Sequence, residues 1–472
     1  MMHFATSLSA LAVALAWALS TGVHVASAID LDLTSSVAST IAFDMMSYYK
    51  GNLSGQTPGL LPGPPPTPAI INAGYFWWEA GAMFGTLIDY WYYTGDSTYN
   101  DEVSQGLLFQ VGANDDYLPQ NQTNGMGNDD QGFWGMSAMT AAELQFPNPP
   151  PDQPQWLALA QAVYNTQLAR FDNLCGGGLH WQAYQFLNGY SYKNSIANGC
   201  FFNIAARLAL YTGNSSYADS AITTWDWMTA IGLMDKNYMV YDGTDSNQNC
   251  TTIDRVQYSY NAAIFLYGSA VMYNYTNGSA VWQERTQGLL NATIEIFFPN
   301  GIGYEVACEK TLDCTIDMYS YKAYLIRWMA ATTKLAPFTY NAVISVIQTS
   351  AKAAALQCCG SPADRPNGRM CGLSWSKGST WDGTSGVGQQ MAALEAVTSN
   401  LIGQSRDPVT NSSGGTSQGN NNAGLNDPAA ENPISSNPPT TGDKVGASFL
   451  TIGVAVSIIG GLTWLSLPDT HR

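Results

Sequence analysis

The chain has 472 residues, of which 46% are hydrophobic, 12% aromatic and only 11% charged, which suits one large globular domain or two smaller ones. Its formal net charge of -17 argues against binding to nucleic acids and against a basic helix lying on a membrane surface. Many Tyr, Trp, Asn and Gln residues beside few charges are typical of proteins that bind carbohydrate, because sugars stack on aromatic faces and hydrogen-bond to amides and carboxylates. With four histidines and no CxxC pair, the sequence predicts no metal site and no cofactor.

The first 28 residues are predicted to be a secretory signal peptide. Residues 8–19 are apolar, and Ala26-Ser27-Ala28 matches the small-residue pattern of a signal cleavage site. His3 is the only basic candidate ahead of the apolar stretch. We therefore expect the protein to be secreted.

Residues 29–400 contain a repeat of about sixty residues. The sequence YTGDSTY at 93–99 nearly recurs as YTGNSSY at 211–217, and aromatic residues close successive joints at intervals of 57, 61, 65 and 58 residues: Tyr99, Trp156, Tyr217, Trp282 and Tyr340. Each interval holds two helices of apolar periodicity. Such pairs must bury their apolar faces on their neighbours, so the repeat predicts an all-α fold, an (α/α)6 barrel of six helical hairpins in a closed ring. An open solenoid is the alternative, although its terminal repeats would be polar.

Two adjacent acids, Asp129 and Asp130, precede an apolar helical run at residues 133–144. We call them the acid pair. A helix N-terminus favours negative charge, and neighbouring carboxyl groups there lie roughly 5 Å apart, the separation that a retaining glycosidase needs. The same triplet, Asn-Asp-Asp, also occurs at residues 114–116 in a loop, so a helix cap is the competing interpretation.

Polar and aromatic segments recur at one phase of the repeat, where the chain enters one helix of each pair. They are residues 74–79, 128–134, 189–198, 257–261, 317–322 and 371–375. Because the acid pair shares this phase, we expect it to face a central cleft. The predicted substrate-binding residues come from the same segments: Trp78, Trp134, Tyr192, Lys193, Asn194, Tyr260, Asn261 and Asp317.

Four of these candidates have specific expected roles. Trp78 and Trp134 are expected to stack on sugar rings. Lys193 lies among aromatic residues and needs a charged partner, for which we expect one member of the acid pair. Asp317 is either a third carboxylate of the cleft or a helix cap.

The C-terminal part changes composition. Residues 401–446, rich in Ser, Asn, Gly and Pro, are predicted to be a disordered linker, and residues 447–472 an apolar tail. A small-residue site, a polar spacer and a terminal apolar segment form the signal for a glycosylphosphatidylinositol (GPI) anchor, with attachment expected at Ser435. A permanent transmembrane helix is the alternative, disfavoured because Arg472 is the only Lys or Arg beyond the apolar segment.

Glycosylation sequons and cysteines fit an exported protein. Eight N-x-[ST] sequons are predicted glycosylation sites: Asn52, Asn121, Asn214, Asn249, Asn274, Asn277, Asn291 and Asn411. The eight cysteines predict disulfides. Short separations suggest a Cys308–Cys314 pair and a pair of Cys371 with Cys358 or Cys359, and the remaining connectivity stays open.

Five segments resemble glycoside hydrolase family 76, the endo-α-1,6-mannanases, and most of all its fungal GPI-anchored cell-wall branch. They are WWEAGAM at 77–83, GNDDQGFW at 127–134, YKNSIANGCFF at 192–202, YSYN at 258–261 and YEVACE at 304–309. The resemblance covers residues 30–400 and implies an (α/α)6 barrel, with Asp129 as nucleophile and Asp130 as acid/base. Tyr260-Asn261 continues with two alanines, whereas bacterial members continue with Gln-Gly, so we expect different sugar contacts at that edge.

For function, the resemblance implies a retaining glycosidase or transglycosidase acting on α-1,6-linked mannose. The donor would be a GPI-core glycan or α-1,6-mannan and the acceptor cell-wall glucan, so that GPI proteins become linked to the wall. The protein would lie at the outer face of the plasma membrane through its anchor and in the cell wall. The alternative is a non-catalytic mannan-binding lectin or scaffold of the cell wall.

Overall fold

The computed structural model describes residues 31–63, 74–425 and 451. The predicted signal peptide, Ser435 and nearly all of the apolar tail therefore lie outside the described residues. In the part of the chain that the structure describes, no helix combines the length and the apolar content needed to cross a membrane.

The described residues are mostly helical. They form twelve α-helices: α1 (Leu31–Met46), α2 (Trp77–Thr94), α3 (Asn100–Phe109), α4 (Asn128–Glu143), α5 (Trp156–Leu168), α6 (Ser195–Thr212), α7 (Ser215–Ile231), α8 (Ser259–Tyr275), α9 (Ala280–Phe297), α10 (Tyr321–Leu335), α11 (Tyr340–Gln357) and α12 (Val387–Thr398). The even-numbered helices are buried over most of their length, as expected of helices that are apolar on all sides.

The even-numbered helices contact one another in succession, and α12 contacts α2, so the contacts return to their starting point. We call these six helices the helix ring. The odd-numbered helices pack outside it, each against an even-numbered neighbour. Close approach needs small residues: a Cβ atom at Gly81 of α2 would lie 2.6 Å from the ring of Trp134 in α4.

The helices of the ring run in the same direction. At one end Trp78, in the first turn of α2, meets Asp317, just before α10. At the other end Arg327 of α10 pairs with Asp89 of α2 and Glu395 of α12. We call the end where the even-numbered helices begin the top end and the opposite end the bottom end.

Long loops occupy the top end and short joints the bottom end. The predicted Tyr-Thr-Gly joints lie at the bottom end, where Gly95 and Gly213 end α2 and α6 with φ of 74°. That left-handed conformation favours glycine, which explains the repeated motif. The predicted helix-pair repeat therefore corresponds to the observed alternation of even- and odd-numbered helices.

Two small antiparallel sheets lie in the top loops. Their strands are β1 (Tyr192–Asn194), β2 (Gly243–Asp245), β3 (Ile253–Asp254), β4 (Cys358–Gly360) and β5 (Met370–Cys371). The first sheet has the order β1-β2-β3, with Lys193 opposite Thr244, and the second pairs β4 with β5. These strands shape the loops without entering the helix ring.

Three disulfides lie within the described residues. Cys308–Cys314 and Cys358–Cys371 confirm the pairings expected from short separation, and the structure selects Cys358 over Cys359. The third, Cys175–Cys250, was left open by the sequence. It connects the loop before α6 to the β2–β3 segment.

The prediction of a disordered linker from residue 401 is wrong for residues 401–425. Residues 399–404 form a short 3-10 helix, and residues 406–425, which we call the strap, pack on the outside of the helices. The amino-acid composition indicated disorder because the segment has few apolar residues. The strap is nevertheless ordered, because hydrogen bonds of its backbone and amide groups hold it. Residues 426–446 lie outside the described residues.

All eight sequon asparagines have exposed side chains, including Asn291 in α9 and Asn411 in the strap. Glycan attachment at these positions remains a prediction.

Candidate active site

The acid pair lies in the first turn of α4, at the top end. The Asp130 carboxylate accepts a hydrogen bond from the Gly127 N–H (2.6 Å), so it caps its own helix. Asn128 anchors the turn, because its side-chain oxygen accepts from Arg170 Nε (2.8 Å) and its amide donates to the His180 carbonyl (2.8 Å). The turn is thus fixed from two sides.

Both carboxyl groups converge on Gly127. A Cβ atom at that position would lie 2.1 Å from Asp129 Oδ1 and 3.0 Å from Asp130 Oδ2. Only a residue without a side chain leaves room for both acids. The side chains of the pair are half-buried, so they keep partial access to solvent.

The environment of the acid pair favours protonation. Burial raises the pKa of Asp129 well above its ordinary value, and the charge of Asp130 adds to the effect. Burial also raises the pKa of Asp130, to about 7, and Asp317 contributes in the same direction. Two close carboxyl groups titrate as a unit, so near neutral pH the pair can hold one proton and one negative charge. That is the state in which one acid attacks and the other donates a proton.

Two further carboxyl groups join the pair. Asp317 accepts a hydrogen bond from Trp78 Nε1 (3.3 Å), and burial raises its pKa to about 6. Glu79 is fully buried; one of its oxygens accepts from Phe76 N (2.7 Å) and the other has no hydrogen-bond partner. Burial, then the charges of Asp317 and Asp130, raise the pKa of Glu79.

We call these four acids the acid cluster: Glu79, Asp129, Asp130 and Asp317. Among the described residues, no lysine, arginine or histidine forms an ion pair with any of the four. Within the same part of the chain, no group of three or more Asp, Glu, His or Cys residues is arranged to hold a metal ion. The described residues therefore supply no cation that would hold these four carboxyl groups ionised, which agrees with their raised pKa values.

One wall of the site is aromatic and polar. The rings of Tyr260 and Tyr321 stack with centroids 3.9 Å apart. Tyr192 donates to Asp242 Oδ2 (2.7 Å), and Asn261 Nδ2 lies 3.4 Å from Asp242 Oδ1. The structure therefore brings together three predicted residues, Tyr192, Tyr260 and Asn261, and places them around Asp242.

The structure corrects the prediction for Trp134. Its side chain is 0% exposed and stacks on Trp77 at 4.9 Å, inside the helix ring. Stacking of a sugar on Trp134 is therefore excluded, and that prediction is wrong. Trp78 lies one residue after Trp77 and is 8% exposed, beside Asp317.

The predictions for Lys193 are also wrong. Its ammonium group is fully buried and pairs with Asp172 Oδ1 (2.6 Å) rather than with the acid pair. It also donates to three backbone carbonyls, those of Leu174, Gly177 and Gly178. Lys193 therefore fixes the loop before α6 and is closed to a ligand.

Asn194 occupies a capping position. It is 5% exposed, and its side-chain oxygen accepts from Ala197 N (3.2 Å) at the start of α6. Its local role is to begin that helix.

Sequence reasoning did not select Glu79, Trp181, Asp242 and Tyr321 as site residues. Glu79 carries a detectable signal, because it holds the same third position in α2 that Asp130 holds in α4. Trp181 is 37% exposed, and its side chain offsets a small part of the rise in the pKa of Asp129 that burial causes. It lies in an irregular loop, where periodicity gives no information.

Known proteins are similar to this chain over most of its length. The family model described as glycosyl hydrolase family 76 matches residues 34–412. The mannan endo-1,6-alpha-mannosidase DCW1 of Saccharomyces cerevisiae is 43% identical over 446 residues, 93% of this chain and 95% of that protein.

Two solved structures are similar in fold. The crystal structure of Dfg5 from Chaetomium thermophilum in complex with glucosamine has a TM-score of 0.78 and 48% identity, covering 84% of this chain and 96% of that one. An inactive variant of the α-1,6-mannanase GH76A of Salegentibacter sp. HEL1_6, with two successive aspartates changed to asparagine and α-1,6-mannotriose bound, has a TM-score of 0.61 and 15% identity, covering 78% and 99%. The match to the family model over most of the chain, together with the close relatives, shows that this protein belongs to glycosyl hydrolase family 76 and is a glycoside hydrolase.

Proposed function

We propose that this glycoside hydrolase is a retaining glycosidase or transglycosidase acting on α-1,6-linked mannose. The observation that carries the proposal is the acid pair in the first turn of α4, with pKa values raised by burial. The bacterial α-1,6-mannanase described above lost activity when two successive aspartates were replaced, which supports catalytic roles for the acid pair. The succession of contacts round the helix ring supports the finer description of the fold as an (α/α)6 barrel.

In the proposed mechanism Asp129 attacks the anomeric carbon and forms a glycosyl-enzyme intermediate. Asp130 donates its proton to the leaving oxygen and then takes a proton from water or from an acceptor hydroxyl. The division of roles is the one that the resemblance to the family implies, in which the first acid of the pair attacks and the second is the acid/base. Asp130 caps α4 through the Gly127 N–H (2.6 Å), and a pKa of about 7 lets it give and take a proton near neutral pH.

For the donor we propose a GPI-core glycan, with cell-wall glucan as acceptor. No cation from the described residues pairs with the acid cluster, and a glucosamine residue with a free amino group would supply one. The Chaetomium thermophilum relative was crystallised with glucosamine, which supports an amino sugar as part of the substrate. α-1,6-Mannan remains the simpler donor, suggested by the names of the relatives.

An experiment on the amino group tests this donor. We expect N-acetylation of the glucosamine in a GPI-core oligosaccharide to lower kcat/KM by about 10- to 100-fold, because a charge-assisted contact is lost. The same two donors are then measured with Glu79→Gln. In this variant the difference in kcat/KM between the free-amine donor and the N-acetylated donor should be smaller. Equal kcat/KM for both donors in the parent protein would exclude recognition of the amine. Initial rates with and without added β-glucan then separate transfer from hydrolysis.

The pH profile of the reaction gives a second test. Asp130 must be protonated to act as an acid, so kcat/KM should fall as the pH rises through about 7. In Asp317→Asn a neighbouring negative charge is removed, the pKa of Asp130 falls, and the basic limb should move to lower pH. The measurement is kcat/KM between pH 4 and 9 for both proteins; a basic limb that stays in place or moves upward contradicts the assignment.

For localisation we propose secretion through residues 1–28, a GPI anchor at Ser435, and residence at the outer face of the plasma membrane and in the cell wall. Residues 29–425 would form the catalytic unit, since the strap belongs to it. The lectin alternative gains no support, because the relatives carry enzyme names. It predicts that Asp129→Asn leaves mannan binding intact and that a mechanism-based mannosyl inhibitor forms no adduct with the parent protein.

A further inference from the structure

The strap follows the outer helix α5 in the same direction as that helix. Three hydrogen bonds fix it at successive positions: Leu157 N to Ser417 Oγ (2.9 Å), Gln161 Nε2 to Asn421 Oδ1 (2.8 Å) and Asn165 Nδ2 to Ala423 O (2.8 Å). Because α5 starts at the bottom end and finishes at the top end, the strap travels from bottom to top.

The ends of the strap lie at opposite ends of α4. At its beginning Val409 N donates to the carbonyl of Glu143 (2.8 Å), the last residue of α4. At its end a Cβ atom on Gly424 would lie 3.1 Å from Thr166 Cγ2, and Thr166 Oγ1 accepts from Gln131 Nε2 (2.9 Å), next to the acid pair. Since α4 has 16 residues, the strap carries the chain over about 24 Å.

Large apolar side chains are exposed where the strap finishes. Leu425 is 53% exposed at the end of the strap, and Leu168 is 44% exposed at the end of α5. In the loop that follows α5, Leu174, Trp181 and Phe186 are 53%, 37% and 48% exposed. We call these five residues the exit patch. Such side chains are costly in water and suit the interface of a lipid bilayer.

We propose that the top end, with the acid pair, faces the lipid bilayer and that the exit patch rests in its interface. This inference depends on the proposed lipid anchor. Ser435 lies ten residues after Leu425, and ten residues span at most about 35 Å when fully extended. An anchor at that position lies within this distance of the top end, where the described chain leaves the helices.

The chemistry of the exit patch fits a neutral outer leaflet. The exit patch is defined by its apolar side chains, so the proposal relies on their insertion and not on attraction to anionic lipids. A top end held against the bilayer would place the cleft beside glycans that are themselves anchored to the same membrane. Soluble substrates would gain nothing from this orientation.

Hydrogen exchange of the full, anchored chain tests the orientation. The protein is reconstituted in phosphatidylcholine vesicles with sterol and measured before and after a phosphatidylinositol-specific phospholipase C removes the lipid. We expect slower exchange on vesicles in residues 169–191, and no change in the bottom joint at residues 336–340. Slower exchange at the bottom joint, or no difference anywhere, overturns the proposal.

A matched pair of double variants localises the contact. Leu174→Ser/Phe186→Ser should abolish the slowing on vesicles and reduce turnover of a vesicle-anchored GPI glycan, with kcat/KM for a soluble α-1,6-mannoside unchanged. Val281→Ser/Phe338→Ser, which changes exposed apolar residues at the bottom end, should alter none of these. Equal loss in both variants contradicts the proposal. A chain that phospholipase C fails to release overturns the anchor and the orientation, whereas a chain inactive on soluble mannosides instead overturns the proposed function.

Discussion

Asp129→Asn should reduce turnover of an α-1,6-mannoside by on the order of 10³-fold or more, because the chain then lacks its nucleophile. Asp130→Asn should reduce it by about 10²- to 10⁴-fold, the usual range for loss of a general acid. The two roles are separated with α-mannosyl fluoride, whose leaving group needs no proton. With this substrate glycosyl-enzyme formation should recover in Asp130→Asn and remain absent in Asp129→Asn.

The same variants should fold at least as well as the parent. Burial raises the pKa of both acids, so ionising them destabilises the folded state at neutral pH, and neutral asparagines remove that cost. Thermal unfolding midpoints at pH 7 should be unchanged or higher. Asp115→Asn is the matched control, since it makes the same change in the second Asn-Asp-Asp triplet and should leave activity unchanged. Activity retained in both Asp129→Asn and Asp130→Asn would end the glycosidase assignment.

Arg327→Met should lower the free energy of unfolding by about 3–5 kcal/mol at pH 7, the typical cost of removing one partner from a buried ion pair. Arg327 bridges Asp89 (2.7 Å) and Glu395 (2.7 Å) at the bottom end, and both acids are buried. Without the guanidinium group, two carboxyl groups from α2 and α12 face each other without a cation. Urea unfolding followed by tryptophan fluorescence measures the change.

The loss of unfolding free energy in Arg327→Met should depend on pH. Burial raises the pKa of Asp89, and it raises that of Glu395 to about 8, even though Arg327 opposes both shifts. In Arg327→Met both pKa values rise further. As the pH rises through about 8, the parent ionises Glu395 beside Arg327 whereas the variant keeps it protonated, so the variant loses stability there relative to the parent. The destabilisation should therefore be larger at pH 9 than at pH 7. Adding Asp89→Asn and Glu395→Gln should recover part of it, and a loss below 1 kcal/mol at pH 7 would contradict the argument.

The helical repeat and the acid pair were predictable because their signals are local. The Tyr-Thr-Gly joints mark a left-handed glycine after α2 and α6, and the apolar runs indicate helices that are buried on all sides. The position of Asp129 and Asp130 at a helix start follows from neighbouring residues alone. Close cysteines could be paired for the same reason, since Cys308 and Cys314 are separated by only six residues.

The partners of buried groups were not predictable. Trp78 and Trp134 stand in similar segments, yet Trp134 is fully buried against Trp77, whereas Trp78 keeps 8% exposure beside Asp317. Lys193 meets Asp172, 21 residues earlier, because an irregular loop folds back over it. No periodic pattern describes such a loop. The ordered strap was not predicted for a related reason. Its stability depends on amide hydrogen bonds, which the amino-acid composition does not reveal.

The disulfide between Cys175 and Cys250 has a consequence for how the enzyme is made. It joins the loop that carries Trp181 to the segment between β2 and β3, and neither partner belongs to the helix ring. Synthesis in a reducing cytosol would leave this cross-link open while the helices still assemble. Such a preparation would pass tests of helix content and yet present a loosened wall beside the nucleophile, so an oxidising secretory host is the appropriate source of active protein.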